Sequence, residues 1–195
     1  MQYDDVKKVI LKKLETELPK HFFYHSVAHA KDVLKAAINL GKKEKINGDD
    51  LIMLKTAALF HDSGFLFGAK DHEANSCKIA KELLPNFKYS NNQIEKICEM
   101  IMATKIPQSP KNHLEEILAD ADLDYLGRDD FFKISNLFFE ELVMAGTLTN
   151  ENEWNILQVK FIEKHNYFTK SADKLRRQKK EGHLAIIKSK LSGND

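Results

Sequence analysis

The segment Leu51 to Phe60 (LIMLKTAALF) carries apolar side chains on more than one face of a helix and runs straight into His61-Asp62-Ser63-Gly64. A helix that is apolar nearly all round must be wrapped by other elements, so it predicts the central member of a multi-helix assembly. Its end is equally constraining. An unpaired carboxylate held in an apolar surrounding costs several kcal/mol, so His61 and Asp62 either reach solvent at the helix end or need a partner.

The rest of the chain supplies the wrapping helices. From Tyr3 to Leu18, Val6, Val9, Ile10 and Leu14 recur at spacings of three and four, and Pro19 stops the pattern. A second pattern runs from about Ser26 through Val27, Ala30, Val33, Leu34, Ala37 and Ile38 to Gly41, a glycine suited to a helix end. Further helices are predicted at about Asp71 to Leu84, Ser90 to Ala103, Leu114 to Asp124, Asp129 to Ala145, Glu151 to His165 and Ser171 to Leu191. Pro85, Pro107, Pro110 and Gly146 punctuate them, and no alternating strand pattern intervenes. The fold class expected is all-α, a compact multi-helix bundle.

Composition narrows the function classes. The 195 residues suffice for one core without staples, and 43% hydrophobic and 30% charged residues with 8 Gly and 4 Pro exclude a disordered, collagen-like or channel-forming chain. A formal charge of +1 leaves no overall field to draw in nucleic acid or anionic lipid, so an anionic ligand must be captured locally. Cys77 and Cys98 are too few for a disulfide framework and fit a reducing compartment. Residues 1–18 lack the unbroken apolar run of a signal peptide, and a cytoplasmic location is the expectation.

The chemistry concentrates where polar groups interrupt apolar patterns. His25 and His29, four apart, share one helical face, which suits either a site or an ordinary histidine pair. A metal cation would satisfy His61 and Asp62 together. In Ile117-Leu118-Ala119-Asp120-Ala121-Asp122-Leu123, a helical Asp122 shares a face with aliphatics, although a solvated acidic turn is the simpler reading of that run alone. The basic run Lys174, Arg176, Arg177, Lys179 and Lys180 has no interleaved aromatics and reads as a solvated helix face rather than a nucleic-acid stripe.

In order along the chain, His29 in an H-x-x-x-V context, His61-Asp62 after an apolar helix, and Asp122 in Ala-Asp-Leu resemble the HD superfamily of metal-dependent phosphohydrolases. The span His25 to Arg128 covers the family core, about half the chain. The resemblance implies a single HD-type domain over 1–195, with a core at about 21–130 and a helical extension at about 130–195. It implies His29, His61, Asp62 and Asp122 as ligands of one divalent cation (Mn, Fe, Co, Ni, Zn or Mg).

Tyr24-His25-x-x-x-His29-Ala30 is similar to the class I cyclic-nucleotide phosphodiesterase pattern, which gives His25 the role of proton donor to the leaving oxygen. Asp62 or Asp120 would accept the proton of the attacking water. His72-Glu73 and Ile101-x-Ala103-Thr104 resemble a bacterial branch, in which His72 serves a second metal or the phosphate; a surface histidine is the alternative. Thr104, Lys105 and Arg128 are candidate phosphate contacts, the last two equally readable as solvated residues. Phe65 and Phe67 suit base stacking or simple packing.

Departures limit the substrate. Ser63-Gly64-Phe65-Leu66 follows the pair where guanosine tetraphosphate hydrolases carry Glu-Asp, the His-Asp-Ile-Gly-Lys of the cyclic-di-GMP branch is missing, and so is the glutamate of deoxynucleotidases. The expected function is hydrolysis of a phosphoester or phosphoanhydride in a small, nucleotide-like substrate. The alternative is a non-catalytic metal or nucleotide sensor acting through a partner. Membrane and nucleic acid are not expected as partners, and a homodimer is possible.

Overall fold

Helix α3 (Gly48–Phe60) buries Met53, Leu54 and every residue from Thr56 to Phe60, as its apolar composition requires. A computed structural model describes residues 1–192 of the chain, and these divide into two units, each with its own core. The first comprises Met1–Pro19 and His25–Asp122; the second comprises Lys20–Tyr24 and residues 123–192.

In the first unit, α3 is surrounded by α1 (Tyr3–Glu17), α2 (Val27–Lys43), α5 (Asn91–Ala103) and α6 (His113–Asp122), with α4 (His72–Leu83) packed on α5. Val6, Ile10 and Leu14 of α1 are buried, the stripe their spacing predicts. Ile10, Ala37, Leu40, Leu54, Leu59, Ile97, Ile101, Ile117 and Leu118 form the core, all without measurable exposure. The start of α5 is fixed by a reciprocal cap: Ser90 Oγ accepts from Gln93 N at 3.3 Å, and Gln93 Oε1 accepts from Ser90 N at 2.9 Å. Gly41 does not end α2, as the pattern suggested. It lies inside the helix, where a Cβ would stand 3.2 Å from Leu54 Cδ2, and the left-handed residue beyond the end is Lys45 (φ 62°). The glycine serves the close approach of α3 instead of termination.

The second unit packs Tyr24, Leu123, Tyr125, Leu126, Phe131, Ile162 and Ile187 from α7 (Phe131–Met144), α8 (Glu151–Lys164), α9 (Lys170–Ser192) and the turns before them. Tyr24 N donates to Glu141 Oε2 at 2.9 Å, and Tyr24 stacks on Phe138. Asp124 is buried and receives Arg176 Nε at 2.7 Å and Nη2 at 3.0 Å. The C-terminal basic run is not uniformly solvated: Arg176 pairs with Asp124, Arg177 with Asp173 and Lys179 with Asp129, while Lys180 is buried against His165. Among the described residues there is no strand, and no helix is long and apolar enough to cross a membrane.

Candidate metal centre

Three elements of the first unit aim polar groups at one point. The beginning of α2 supplies His29, the end of α3 supplies His61 with Asp62 one residue on, and the last residue of α6 is Asp122. Each sits at or within a turn of a helix end, where the apolar stripe gives out and a polar side chain can turn inward without breaking the core. His29 Nε2 lies 3.2 Å from Asp62 Oδ2 and 3.2 Å from Asp122 Oδ1. His61 Nε2 lies 3.1 Å from Asp62 Oδ2, 3.3 Å from Asp122 Oδ1 and 3.2 Å from His29 Nε2.

One ring nitrogen of His61 is committed to its own helix. Its Nδ1 lies 2.9 Å from the Ala58 carbonyl, which can only accept, so Nδ1 carries a hydrogen in either charge state and Nε2 is the nitrogen that faces the cluster, with a lone pair to offer a cation when the ring is neutral. Burial disfavours charge on both imidazoles, yet Asp122 and Asp62 beside them hold His29 above its ordinary range and His61 well above it. Burial likewise opposes ionisation of the two acids, but His61 and His29 outweigh it. Asp62 is held well below the usual carboxylate range and Asp122 at about 2.

This donor set fits a divalent cation. Ligands about 2.1 Å from a shared first-row metal stand roughly 3.0 to 3.4 Å apart for angles between octahedral and tetrahedral, and the three separations among His29, His61 and Asp122 fall in that interval, while Asp62 Oδ2 approaches both imidazoles from outside that mutually close group. The charges agree as well. Two neutral imidazoles and two carboxylates carry two negative charges, which protons balance on the imidazoles and a single divalent ion balances outright.

The surrounding residues sort by distance. His72, the first residue of α4, brings Nε2 to 3.4 Å from Asp62 Oδ1 and 3.5 Å from Glu73 Oε1, so Asp62 faces the cluster with one oxygen and His72 with the other. His25 stacks on Phe65 at 3.9 Å between ring centroids, and the other side of the contact series is Phe65 to His72 at 4.3 Å. Phe65 is buried as packing between two imidazoles, whereas Phe67 is exposed. Asp120 is fully buried on α6. Thr104 is buried and donates through Oγ1 to the Ile101 carbonyl at 2.8 Å. Lys105 is half exposed, with Nζ 3.7 Å from Asp71 at the start of α4. Arg128 belongs to the second unit, where Asp130 takes its Nε at 2.9 Å and its Nη2 at 2.7 Å and Asp124 its Nη1 at 3.5 Å.

Sequence reasoning missed Ser76. From α4, its Oγ donates to the His61 carbonyl at 2.7 Å and accepts from Gly64 N at 2.7 Å, pinning the turn that carries His61 and Asp62. Gly64 makes that approach feasible, because a Cβ there would lie 1.9 Å from the His72 carbonyl oxygen. The only signal for either was a serine in an otherwise ordinary helix and a glycine directly after the pair.

No family model matches the chain. An uncharacterized protein of Clostridium beijerinckii is 30% identical over 101 residues, which span 50% of this chain and 62% of the relative, less than two thirds of its length. A predicted HD superfamily hydrolase from an uncultured Thermotogales bacterium superposes with a TM-score of 0.64 at 20% identity, covering 96% of this chain and 92% of that one. Bacillus subtilis YpgQ, solved in complex with ADP, superposes with a TM-score of 0.67 at 18% identity, covering 98% and 94%. With its all-helical architecture and these two superpositions, the chain has the HD-type fold.

Proposed function

We propose that the protein is a metal-dependent phosphohydrolase acting on a small nucleotide-like phosphoester or phosphoanhydride. One observation carries the reading: the Nε2 atoms of His29 and His61 lie 3.2 Å apart, and each lies 3.1 to 3.3 Å from a carboxylate oxygen of Asp62 and of Asp122, with His29, His61 and Asp122 forming one mutually close group. The ADP complex of Bacillus subtilis YpgQ supports a nucleotide-like ligand.

His29, His61, Asp62 and Asp122 would hold the cation. Bound there, a divalent ion supplies Lewis acidity toward a phosphoryl oxygen and makes water a stronger acid near neutral pH. Asp62, whose second oxygen faces His72, or the buried Asp120 accepts the proton of the attacking water. His25, held flat against Phe65, protonates the leaving oxygen. His72 takes a second cation or a phosphate oxygen. Lys105 supplies positive charge near the start of α4, while the donors of Thr104 and Arg128 already serve Ile101, Asp130 and Asp124.

Elemental analysis of the purified protein and of Asp62→Ala, followed by phosphate release from a nucleotide panel, tests this. The expected result is one or two metals per chain, lost in the variant together with hydrolysis. Bound metal without turnover on any phosphoester would favour a sensing module, and no uptake of Mn²⁺ or Ni²⁺ would refute the site itself.

A further inference from the structure

Helices α4 and α5 meet through their two cysteines. Cys77 Sγ lies 3.5 Å from the Cys98 carbonyl oxygen and Cys98 Sγ 3.8 Å from the Cys77 carbonyl oxygen, a reciprocal arrangement that sets the two side chains facing one another. Both thiols are free and nearly buried, at 9% and 5% exposure. They are not sealed in the core. Both line a cavity of about 640 Å³, separate from the metal ligands, whose rim includes the exposed side chains of Lys78, Lys81, Glu95 and Glu99. A small polar solute thus has access to a thiol pair.

We propose that Cys77 and Cys98 form a reversible dithiol–disulfide pair, oxidised by low-molecular-weight disulfides entering this cavity. Both sulfurs border the cavity, so either can attack first, and the exchange balances in the same way for each. With Cys98 first, its thiolate attacks one sulfur of RSSR, forming Cys98–S–S–R and expelling RS⁻, which takes up the proton Cys98 released. Cys77 then gives up its proton and attacks the Cys98 sulfur, forming the Cys77–Cys98 bond and expelling the second RS⁻, which leaves as RSH. Two protein thiols are oxidised and one RSSR is reduced to two RSH. This assignment is independent of any catalytic role for the metal centre.

The test is equilibration of the full chain with mixtures of reduced and oxidised glutathione, acid quenching, alkylation and peptide mapping. The expected product joins the Cys77 and Cys98 peptides within one chain, protects both thiols from alkylation and is reversed by dithiothreitol. Its formation constant should exceed that of the urea-unfolded chain by at least about tenfold, because the fold holds the thiols together. Cys77→Ser should stop at a stable glutathione adduct on Cys98, and Cys98→Ser at one on Cys77. Two alkylatable thiols at every glutathione ratio, a cross-link no more favourable than in urea, or bonds only between chains would overturn the pair. Circular dichroism of each variant verifies that the helices are intact.

Discussion

His165, at the junction of α8 and α9, should make the second unit sensitive to mild acid. The imidazole is 8% exposed, its Nε2 has no hydrogen-bond partner, and its Nδ1 lies 3.3 Å from the ammonium of Lys180. Lys180 is itself 6% exposed, donates to the His165 carbonyl and sits 5.4 Å from the Tyr167 ring centroid. Burial, and then the charge of Lys180, push the His165 pKa down to about 4. The folded state therefore holds a neutral imidazole where the unfolded chain would bind a proton. The resulting stability is fully present above the unfolded value of about 6.5 and is lost as pH falls toward about 4.

At about 1.4 kcal/mol per pH unit, the loss across that window is about 3 kcal/mol. Urea unfolding followed by the fluorescence of Trp154, the single tryptophan, reports on this unit directly. Subtracting the pH profile of His165→Gln removes the carboxylate titrations common to both proteins. Wild type should lose about 3 kcal/mol more than the variant between pH 7 and pH 4, and Lys180→Met should shrink the difference by raising the His165 pKa. Parallel pH profiles for wild type and His165→Gln would refute the reasoning.

Other changes act through contacts rather than titration. Ser76→Ala leaves the Gly64 N–H buried without its acceptor and should cost about 1 to 3 kcal/mol in urea unfolding, with metal affinity falling in parallel. Gly64→Ala sets a Cβ against the His72 carbonyl backbone and should destabilise by about 2 to 3 kcal/mol, a steric cost that differential scanning calorimetry would register as a lowered Tm. Asp124→Asn removes the charge that faces Arg176 and Arg128 and should cost about 3 kcal/mol while leaving metal content at the wild-type level; a loss of metal would contradict the assignment of Asp124 to the second unit's core.

The helices were legible because each buries one face, and a buried face prints its period on the sequence. α3 was the plainest, since a segment apolar on several faces has only one place to go. The short 3₁₀ turns Ser63–Phe67 and Asp124–Gly127 carry no period long enough to read, although both follow site residues. His29, His61, Asp62 and Asp122 stood out as polar groups where an apolar stripe should continue. Ser76 did not, because a serine within a helix looks the same whether it faces water or grips a turn. Arg128 could not be placed from sequence, since its partner Asp124 is also claimed by Arg176, 52 positions away. Nor does any linker mark the transition after Asp122: the second unit begins in mid-pattern and also draws in residues 20–24 from far upstream.

Ser76 and Cys77 are consecutive on α4, so they project about 100° apart around its axis: one grips the His61–Gly64 turn, the other faces α5. The helix therefore works as a spindle with a hand on either side. Sliding it by the rise of a single residue, about 1.5 Å, would break both 2.7 Å bonds of Ser76 and carry His72 away from Asp62 at the same time. The aim of the histidine–aspartate turn is thus geared to the axial position of a helix that supplies none of the candidate ligands His29, His61 and Asp122.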